Sequence, residues 1–173
     1  PNLEIKKCFK NDIQKRFDVV VKKDSLALNI ANALLEGNVD FVQNKLGPLL
    51  RSFVSIRDTA TRAPHENYYH VFLNGIFTNC KDNLGEYHSN FESGDGYADI
   101  LFKDIDCRKV AIIEIKSASI GSDIETLSEK AISQIIDKNY AEPLMSNKTV
   151  KHIYGYGIAF AGKSCFISVR KIK

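Results

Sequence analysis

The stretch KVAIIEIKSA, residues 109–118, is almost entirely apolar and favours a buried β-strand. It nevertheless carries two charged residues, Glu114 and Lys116, two positions apart. Side chains alternate along a strand, so these two share one face of the sheet and the flanking isoleucines share the other. Burying two charges costs several kcal/mol per ion unless partners or a metal compensate. The stretch therefore predicts a central strand with a polar site on one face.

A further carboxylate, Asp99, lies in the preceding apolar segment YADILF. If residues 97–103 and 109–116 are neighbouring strands, Asp99 and Glu114 converge at one end of the sheet. Two close carboxylates repel each other unless they are protonated or bridged by a cation. The pattern therefore predicts a small pocket that holds two carboxylates and the ammonium group of Lys116.

This pocket has two interpretations. Oxygen ligands with water in the remaining positions suit Mg²⁺ or Mn²⁺, and such an ion could activate a water and neutralise a phosphodiester oxygen. Lys116 would then orient the attacking water or stabilise the developing charge. An internal salt bridge among Asp99, Glu114 and Lys116 explains the same spacing, because structural ion pairs also occur in sheets. The spacing alone leaves both interpretations open.

The remainder of the sequence predicts helices followed by the order β-β-β-α-β-β. The expected helices are at residues 25–36, 39–56 with a bend at Gly47–Pro48, 65–78 and 122–140. The expected strands are EYHSNFE and YADILFK around the turn SGDG, then KVAIIEIKSA, VKHIYGYGIAF and CFISVRK. A strand-helix-strand crossover implies a mixed sheet with a helix packed on it.

Composition excludes several classes of protein. The chain has 173 residues and 44% hydrophobic residues, ordinary values for a globular protein with one domain or two small ones. No apolar run approaches the roughly 20 residues that span a bilayer, and the opening residues are too charged for a signal peptide. Four cysteines without a C-x-x-C pair indicate neither a zinc site nor a dense disulfide framework, and they favour reduced thiols in the cytoplasm.

Two short motifs resemble known sites but lack the required context. GIAFAGKS, residues 157–164, matches the phosphate-binding pattern G-x4-G-K-[ST], which needs a following helix. Strand-like CFISVRK follows instead, so we expect AGKS to form a hairpin turn rather than a nucleotide site. HENYYH, residues 65–70, resembles the zinc-protease helix H-E-x-x-H. Its histidines are five positions apart and diverge by about 140° around a helix, so they cannot share one metal.

Five motifs in order resemble one branch of the PD-(D/E)XK nuclease superfamily. They are HENYYHVFLNGIF, FESGDGYADILF, VAIIEIKSA, AISQIIDKNY and HIYGYGIAFAGKSCFISV. GYADILF followed by IIEIK resembles the D-(x)n-E-x-K core of that superfamily. The branch is found as a C-terminal module behind AAA-ATPase-like domains in bacterial proteins, and the opening PNLEIKKCF resembles the junction after such a domain. We expect a nuclease-like domain over residues 62–173 and a helical leader or linker from an upstream domain over residues 1–61.

The resemblance implies an α/β, restriction-endonuclease-like mixed β-sheet core flanked by helices, with an N-terminal helical leader. It implies divalent-metal-dependent hydrolysis of phosphodiester bonds, with Mg²⁺ or Mn²⁺ as the cofactor, DNA as the expected substrate and no membrane partner. The alternative is a non-catalytic nucleic-acid or protein-binding module that retains the nuclease fold. Intact Asp99, Glu114 and Lys116 argue against that alternative.

The resemblance also assigns roles to individual residues. Asp99 would be the central metal ligand, Glu114 the second ligand and Lys116 the catalytic lysine. Glu66, on the helix before the sheet, would hold a metal through water, and Gln134, on the following helix, would face the site. Further positions are Tyr140, the terminal Tyr of its motif; Tyr97, where related sequences often have Arg; Glu92, expected to be a solvated hairpin residue; and the basic leader residues Lys6, Lys7, Lys10, Lys15 and Arg16, candidates for phosphate contacts.

Overall fold

The structure is a computed structural model that describes residues 15–54 and 65–173. Its helices are α1 (residues 15–22), α2 (Leu26–Leu35), α3 (Val39–Phe53), α4 (His65–Phe77), α5 (Ile124–Asp137) and α6 (Glu142–Met145). Its strands are β1 (Glu86–Ser93), β2 (Gly96–Lys103), β3 (Lys109–Ser117), β4 (His152–Ala161) and β5 (Ser164–Lys171). The expected order of helices followed by β-β-β-α-β-β is confirmed, with the short α6 added after α5. Within these ranges, no helix combines the length and apolar character that crossing a bilayer requires.

The five strands form one mixed sheet in the order β1-β2-β3-β4-β5. Neighbouring strands are antiparallel except β3 and β4, which are parallel because α5 and α6 return the chain to the starting end of the sheet. β3 has a paired strand on each side, and its side chains are buried from Val110 to Ile115. The isoleucine-rich stretch is therefore the central strand, as predicted.

Helices cover both faces of the sheet. One face packs against α1 to α4, and its core includes Leu34, Leu46, Leu73, Ile113 and Ile158. The other face packs against α5 and α6, and its core includes Ile112, Ile135, Leu144 and Ile153. The described part of the leader thus shares a core with the sheet, while the boundary near residue 62 and the connection to an upstream domain stay predictions.

α5 is shorter than the predicted helix over residues 122–140. Asp123 caps its start by accepting a hydrogen bond from the backbone N–H of Thr126. At its end Asn139 takes a φ of 54°, a left-handed conformation that Asn tolerates better than most residues. The N–H groups of Asn139 and Tyr140 then bond to the carbonyls of Ile136 and Ile135, which is the Schellman arrangement. The prediction was wrong by one turn because a left-handed residue ends the helix inside its apolar periodicity.

The regular alternation of β2 breaks next to Asp99. Ala98 and Leu101 both pack on the α5 side of the sheet, whereas Ile100 packs on the opposite side. On the neighbouring strand, Asn90 has a φ of 53° and is left out of the paired register. The chain is therefore twisted at Asp99, which changes the direction of its side chain relative to a regular strand.

Candidate active site

The site lies where β2 and β3 stop pairing. Their last paired residues are Ile100 and Ile113, so Asp99 and Glu114 follow on the two sides of an opening. Oδ2 of Asp99 accepts a hydrogen bond from the backbone N–H of Ile115 at 2.7 Å. A side chain thereby replaces the strand-to-strand bond that a continued ladder would supply. The structure brings the two carboxylates to one end of the sheet.

Glu114 is almost completely buried in this opening. Its Oε1 accepts hydrogen bonds from Lys116 Nζ at 2.8 Å and from Gln134 Nε2 at 2.5 Å. Its Oε2 is buried and has no hydrogen-bond partner among the residues that the structure describes. A buried carboxylate oxygen without a partner costs free energy, so an additional ligand at this oxygen would stabilise the site.

The charges around Glu114 do not balance. Burial, with the negative charge of Asp99 adding to it, raises the pKa of Glu114 to about 7, although the hydrogen bond from Lys116 opposes both. Burial also raises the pKa of Asp99, although the N–H of Ile115 and the charge of Lys116 oppose that effect. One ammonium group therefore faces two carboxylates whose ionised forms are destabilised. A nearby cation would favour the ionised form of both.

Lys116 remains the positively charged member of the group. Burial lowers the pKa of its ammonium group, but the hydrogen bond to Glu114 and the charges of the surrounding carboxylates outweigh burial and raise it. Its salt bridge with Glu114 is the ion pair that the structural interpretation requires. Among the described residues, however, Asp99 forms no salt bridge, so the expected three-membered ion pair is only partly present.

Gln134 on α5 holds Glu114 from one side, and Tyr140, in the turn after the helix, contacts Gln134. Gln134 Nε2, besides its bond to Glu114, lies within 3.1 Å of the hydroxyl of Tyr140. Tyr140 is buried, and its backbone carbonyl accepts a hydrogen bond from Ser93 Oγ at 2.6 Å. A Cβ at Gly96 would lie 3.2 Å from the Tyr140 ring, so the missing side chain makes room for it. The turn that ends α5 thus positions Tyr140 beside Gln134.

α4 brings two more polar residues to the opening. Glu66 lies in the first turn of α4, and its negative charge raises the pKa values of Asp99, Glu114 and Lys116. One turn later, His70 Nε2 lies 3.0 Å from the backbone oxygen of Asp99 and 3.1 Å from Ser89 Oγ. His70 therefore holds the main chain at the strand opening.

The contact of His70 with the backbone of Asp99 was not predicted from the sequence. The spacing of His65 and His70 excludes a zinc pair. The side chain of His65 lies outside the described residues. The available signal was the spacing of four between Glu66 and His70, since residues four apart share a helix face. A helix that directs Glu66 toward the carboxylates also directs His70 toward the same strand.

Asp99 and Glu114 are the residues that fit a divalent metal. Within residues 15–54 and 65–173, no three His, Cys, Asp or Glu side chains are grouped closely enough to form a metal-ligand cluster. Glu66 therefore does not complete a direct ligand set with Asp99 and Glu114 among these residues. Mg²⁺ usually keeps several waters and binds through one or two carboxylates, so a pair that includes an unpartnered buried oxygen suits it.

The structure places the other sequence candidates away from these contacts. Glu92 is exposed, and Tyr97 is 61% exposed on β2. Lys15 and Arg16 are exposed on α1, whereas Lys6, Lys7 and Lys10 lie outside the described residues.

The expected hairpin turn at AGKS is confirmed. Ala161 pairs with Ser164, and Gly162 has a φ of 58°, a conformation that a tight turn requires and that glycine adopts at little cost. β5 follows the turn directly, so there is no helix to support a phosphate-binding loop at this position.

A comparison with known protein families identifies the group to which the chain belongs. The family model of the PD-(D/E)XK nuclease superfamily matches residues 64–170, which contain Glu66, Asp99, Glu114, Lys116 and Gln134. No protein of curated function matches the chain significantly. The mixed five-stranded sheet flanked by helices agrees with the restriction-endonuclease-like fold that the motifs imply. The chain is a member of the PD-(D/E)XK nuclease superfamily.

Proposed function

We propose that this protein is a divalent-metal-dependent nuclease that hydrolyses phosphodiester bonds in DNA. The observation that carries the proposal is the buried Oε2 of Glu114, which has no partner among the described residues, on a carboxyl group that also feels the negative charge of Asp99. A structural ion pair explains why Lys116 contacts Glu114, but it leaves this oxygen and the second carboxylate uncompensated. A bound cation compensates both.

Asp99 and Glu114 would hold the metal, with Glu66 acting through a bound water. Mg²⁺ or Mn²⁺ suits these hard oxygen ligands. When bound, such an ion lowers the pKa of a coordinated water and neutralises charge on a phosphodiester oxygen.

The protein's own groups would orient the reactants. Lys116 is less buried than Glu114, so its ammonium group can donate to an attacking water or to the phosphate oxygens as negative charge develops. Gln134 holds Oε1 of Glu114, which leaves Oε2 as the oxygen available to a ligand. His70 fixes the backbone of Asp99 and thereby the position of its carboxylate.

We also propose a substrate, an upstream domain and a cellular location for this protein. A nucleic-acid substrate is supported by the resemblance of the motifs, with DNA as the expected one, and an upstream AAA-ATPase-like domain is supported by the resemblance of the segment PNLEIKKCF. A cytoplasmic location is supported by the free thiols of Cys80, Cys107 and Cys165, since intracellular thiols normally stay reduced.

Cleavage assays in defined metals test the proposal. Purified protein is incubated with plasmid DNA, single-stranded DNA and RNA in Mg²⁺, Mn²⁺ or chelator. We expect DNA cleavage with either metal and none with chelator. Cleavage that is undiminished by chelator contradicts the metal mechanism. Salt-sensitive DNA binding without cleavage in either metal would support the non-catalytic binding module instead.

A further inference from the structure

A second polar pocket lies between α3 and the turn that joins β4 and β5. Its volume is about 300 Å³, and its lining includes Gly47, Arg51, Lys163 and Ser164. Two of these residues are cations, and no described carboxylate lines the pocket. The turn is the AGKS segment, whose sequence suggests a phosphate-binding loop that the fold does not contain. The pocket therefore carries two positive charges and lies outside the candidate active site.

The two cations have no counter-charge among the residues that the structure describes. Neither Arg51 nor Lys163 forms a salt bridge there. Lys163 Nζ donates to the backbone oxygen of Arg51 at 3.2 Å, which uses one of its three N–H groups. The guanidinium group of Arg51 packs beside Gly47, with Nη1 3.4 Å from the position that a Cβ would take. Two like charges in one pocket repel each other, and an anion would be attracted to both.

The pocket lies at the same end of the sheet as the candidate active site, although α3, which lines the pocket, and α5, which contacts Glu114, cover opposite faces. β3 and β4 run parallel, with Lys116 opposite Ala159, and β4 continues to Ala161 before the turn. Lys163 is four residues beyond Ala159. Ala161 lies about 7 Å beyond Ala159 at a rise of about 3.3 Å per residue, the turn adds a few Å, and neighbouring strands are about 4.8 Å apart, so the backbone of Lys163 lies roughly 10–15 Å from that of Lys116.

α4 connects the turn to the candidate active site. Glu66 acts electrostatically on Asp99 and Glu114, and Tyr69 lies three residues later on the same helix face. The hydroxyl of Tyr69 donates to the backbone oxygen of Gly162 at 2.8 Å. The residue that precedes Lys163 is thus fixed to the helix that carries Glu66, so the pocket has a defined position relative to the carboxylates.

We propose that Arg51 and Lys163 form a phosphate subsite for the backbone of a nucleic acid whose scissile bond lies at Asp99 and Glu114. This inference rests on the proposed nuclease function. A guanidinium group binds phosphate through two parallel hydrogen bonds, and an ammonium group adds a point charge. The roughly 10–15 Å between Lys116 and Lys163 equals about three or four base steps along the axis of a duplex, at about 3.4 Å per step. The subsite therefore recognises the backbone rather than the bases, and only substrates longer than this distance reach it.

Binding measurements in chelator test the subsite without cleavage. The double variant Arg51→Gln, Lys163→Gln and the wild-type protein are titrated with a labelled 20-nucleotide DNA at several salt concentrations. We expect affinity to fall by about tenfold, and the slope of log K against log salt to fall by about 1.5, because two phosphate contacts are lost. The charge-retaining variant Arg51→Lys, Lys163→Arg should keep most of the slope.

Matched controls separate the subsite from general charge and from the proposed catalysis. The variant Lys81→Gln, Lys171→Gln removes two exposed cations elsewhere and should bind like the wild type. A folded double variant with unchanged affinity and slope would overturn the subsite, as would a wild-type protein that binds no DNA. Because no metal is present, these results stand whether or not the protein cleaves DNA.

Discussion

Two lysine–glutamate ion pairs in the sheet have the same length, but the lysine is the more buried partner in one and the glutamate in the other. Lys103 Nζ lies 2.8 Å from Glu86 Oε2, and Lys116 Nζ lies 2.8 Å from Glu114 Oε1. In the first pair the lysine is buried and the glutamate side chain is 41% exposed. In the second pair the glutamate side chain is only 4% exposed and the lysine side chain is 23% exposed.

The two glutamates respond in opposite directions. The hydrogen bond from Lys103 lowers the pKa of Glu86, as expected for a completed ion pair. Burial and the charge of Asp99 together raise the pKa of Glu114 to about 7, although Lys116 is as close to Glu114 as Lys103 is to Glu86. The length of an ion pair therefore does not reveal its role. The burial of the carboxylate and the presence of a second negative charge distinguish a candidate metal site from a structural pair.

The largest expected difference between the two pairs is in catalysis. Glu114→Gln should reduce metal-dependent DNA cleavage by at least about 10³-fold, because a bound metal contributes several kcal/mol to stabilising the transition state. Glu86→Gln, the matched control, should stay within about twofold of the wild type. Single-turnover cleavage in saturating Mg²⁺ measures both. Similar rates for the two variants would remove Glu114 from the proposed site.

Replacing Lys116 should reduce the cleavage rate, whereas replacing Lys103 should reduce the stability of the fold. Lys116→Ala should lower the cleavage rate by roughly 10²–10³-fold with little change in melting temperature in saturating Mg²⁺, because the metal neutralises the carboxylates. Lys116→Arg should not rescue the rate, since a planar guanidinium group cannot replace a compact ammonium group. Lys103→Ala should keep its activity and lose about 1–2 kcal/mol of unfolding free energy through its buried stem. A large fall in the melting temperature of Lys116→Ala, with a proportionate loss of activity, would favour the structural interpretation.

The two glutamates should give pH dependences of opposite sign in chelator. The pKa of Glu114 is about 7 in the folded protein and 4.5 ordinarily, so its ionisation progressively destabilises the fold between pH 4.5 and about 7. At about 1.4 kcal/mol per pKa unit, the loss above that range is about 3 kcal/mol. Glu114→Gln should therefore be more stable than the wild type above pH 7, and this gain should vanish below pH 4.5.

Glu86 should behave in the reverse way. Its pKa is lower in the folded protein than its ordinary value of 4.5, so its ionised form stabilises the fold above that pH. Glu86→Gln should be slightly less stable than the wild type above pH 4.5, and the deficit should disappear as the pH falls through the lowered pKa. Urea unfolding from pH 3 to 8.5 measures both variants. A pH dependence of the same sign in the two would contradict the electrostatic difference.

The smallest expected effect concerns His70 and its counterpart His88. His70→Ala should weaken Mn²⁺ binding by about tenfold, because the main chain of Asp99 loses a group that fixes it. His70→Gln should recover part of the affinity, since its amide N–H can still donate to the Asp99 carbonyl. His88, which lies beside Glu86, is the control, and His88→Ala should bind Mn²⁺ normally. Calorimetric titration decides, and equal affinities for the two alanine variants would withdraw the positioning role of His70.

Local patterns were sufficient to predict the order of strands and helices. The isoleucine run of residues 109–118 and the turn SGDG define the first three strands without information from the rest of the chain. The end of α5 was not predictable in this way, because the apolar periodicity continues through Asn139 to Tyr140. The packing of the leader was not predictable either, since the contact of Leu34 with the sheet core depends on the assembled fold.

In the candidate site, too, some residues were predictable from local patterns and some contacts were not. Asp99, Glu114 and Lys116 were identifiable because charged residues are conspicuous inside apolar strands. The contact of His70 with Asp99 and the contact of Tyr69 with Gly162 were not, because both depend on how α4 packs across the sheet. The sequence also could not decide how many carboxylates Lys116 neutralises. That number depends on the opening between β2 and β3, where Asp99 bonds to a backbone N–H instead of to the lysine.

The most direct test of the metal site is a crystal structure of the protein soaked in Mn²⁺, with anomalous diffraction data. The proposal predicts an anomalous peak about 2 Å from Glu114 Oε2 and from a carboxylate oxygen of Asp99, and no peak at Glu86. The same soak of Glu114→Gln should show no peak at this position. A wild-type crystal with no peak between Asp99 and Glu114, while Lys116 keeps its salt bridge, would show that the pair is structural and would contradict the proposed function.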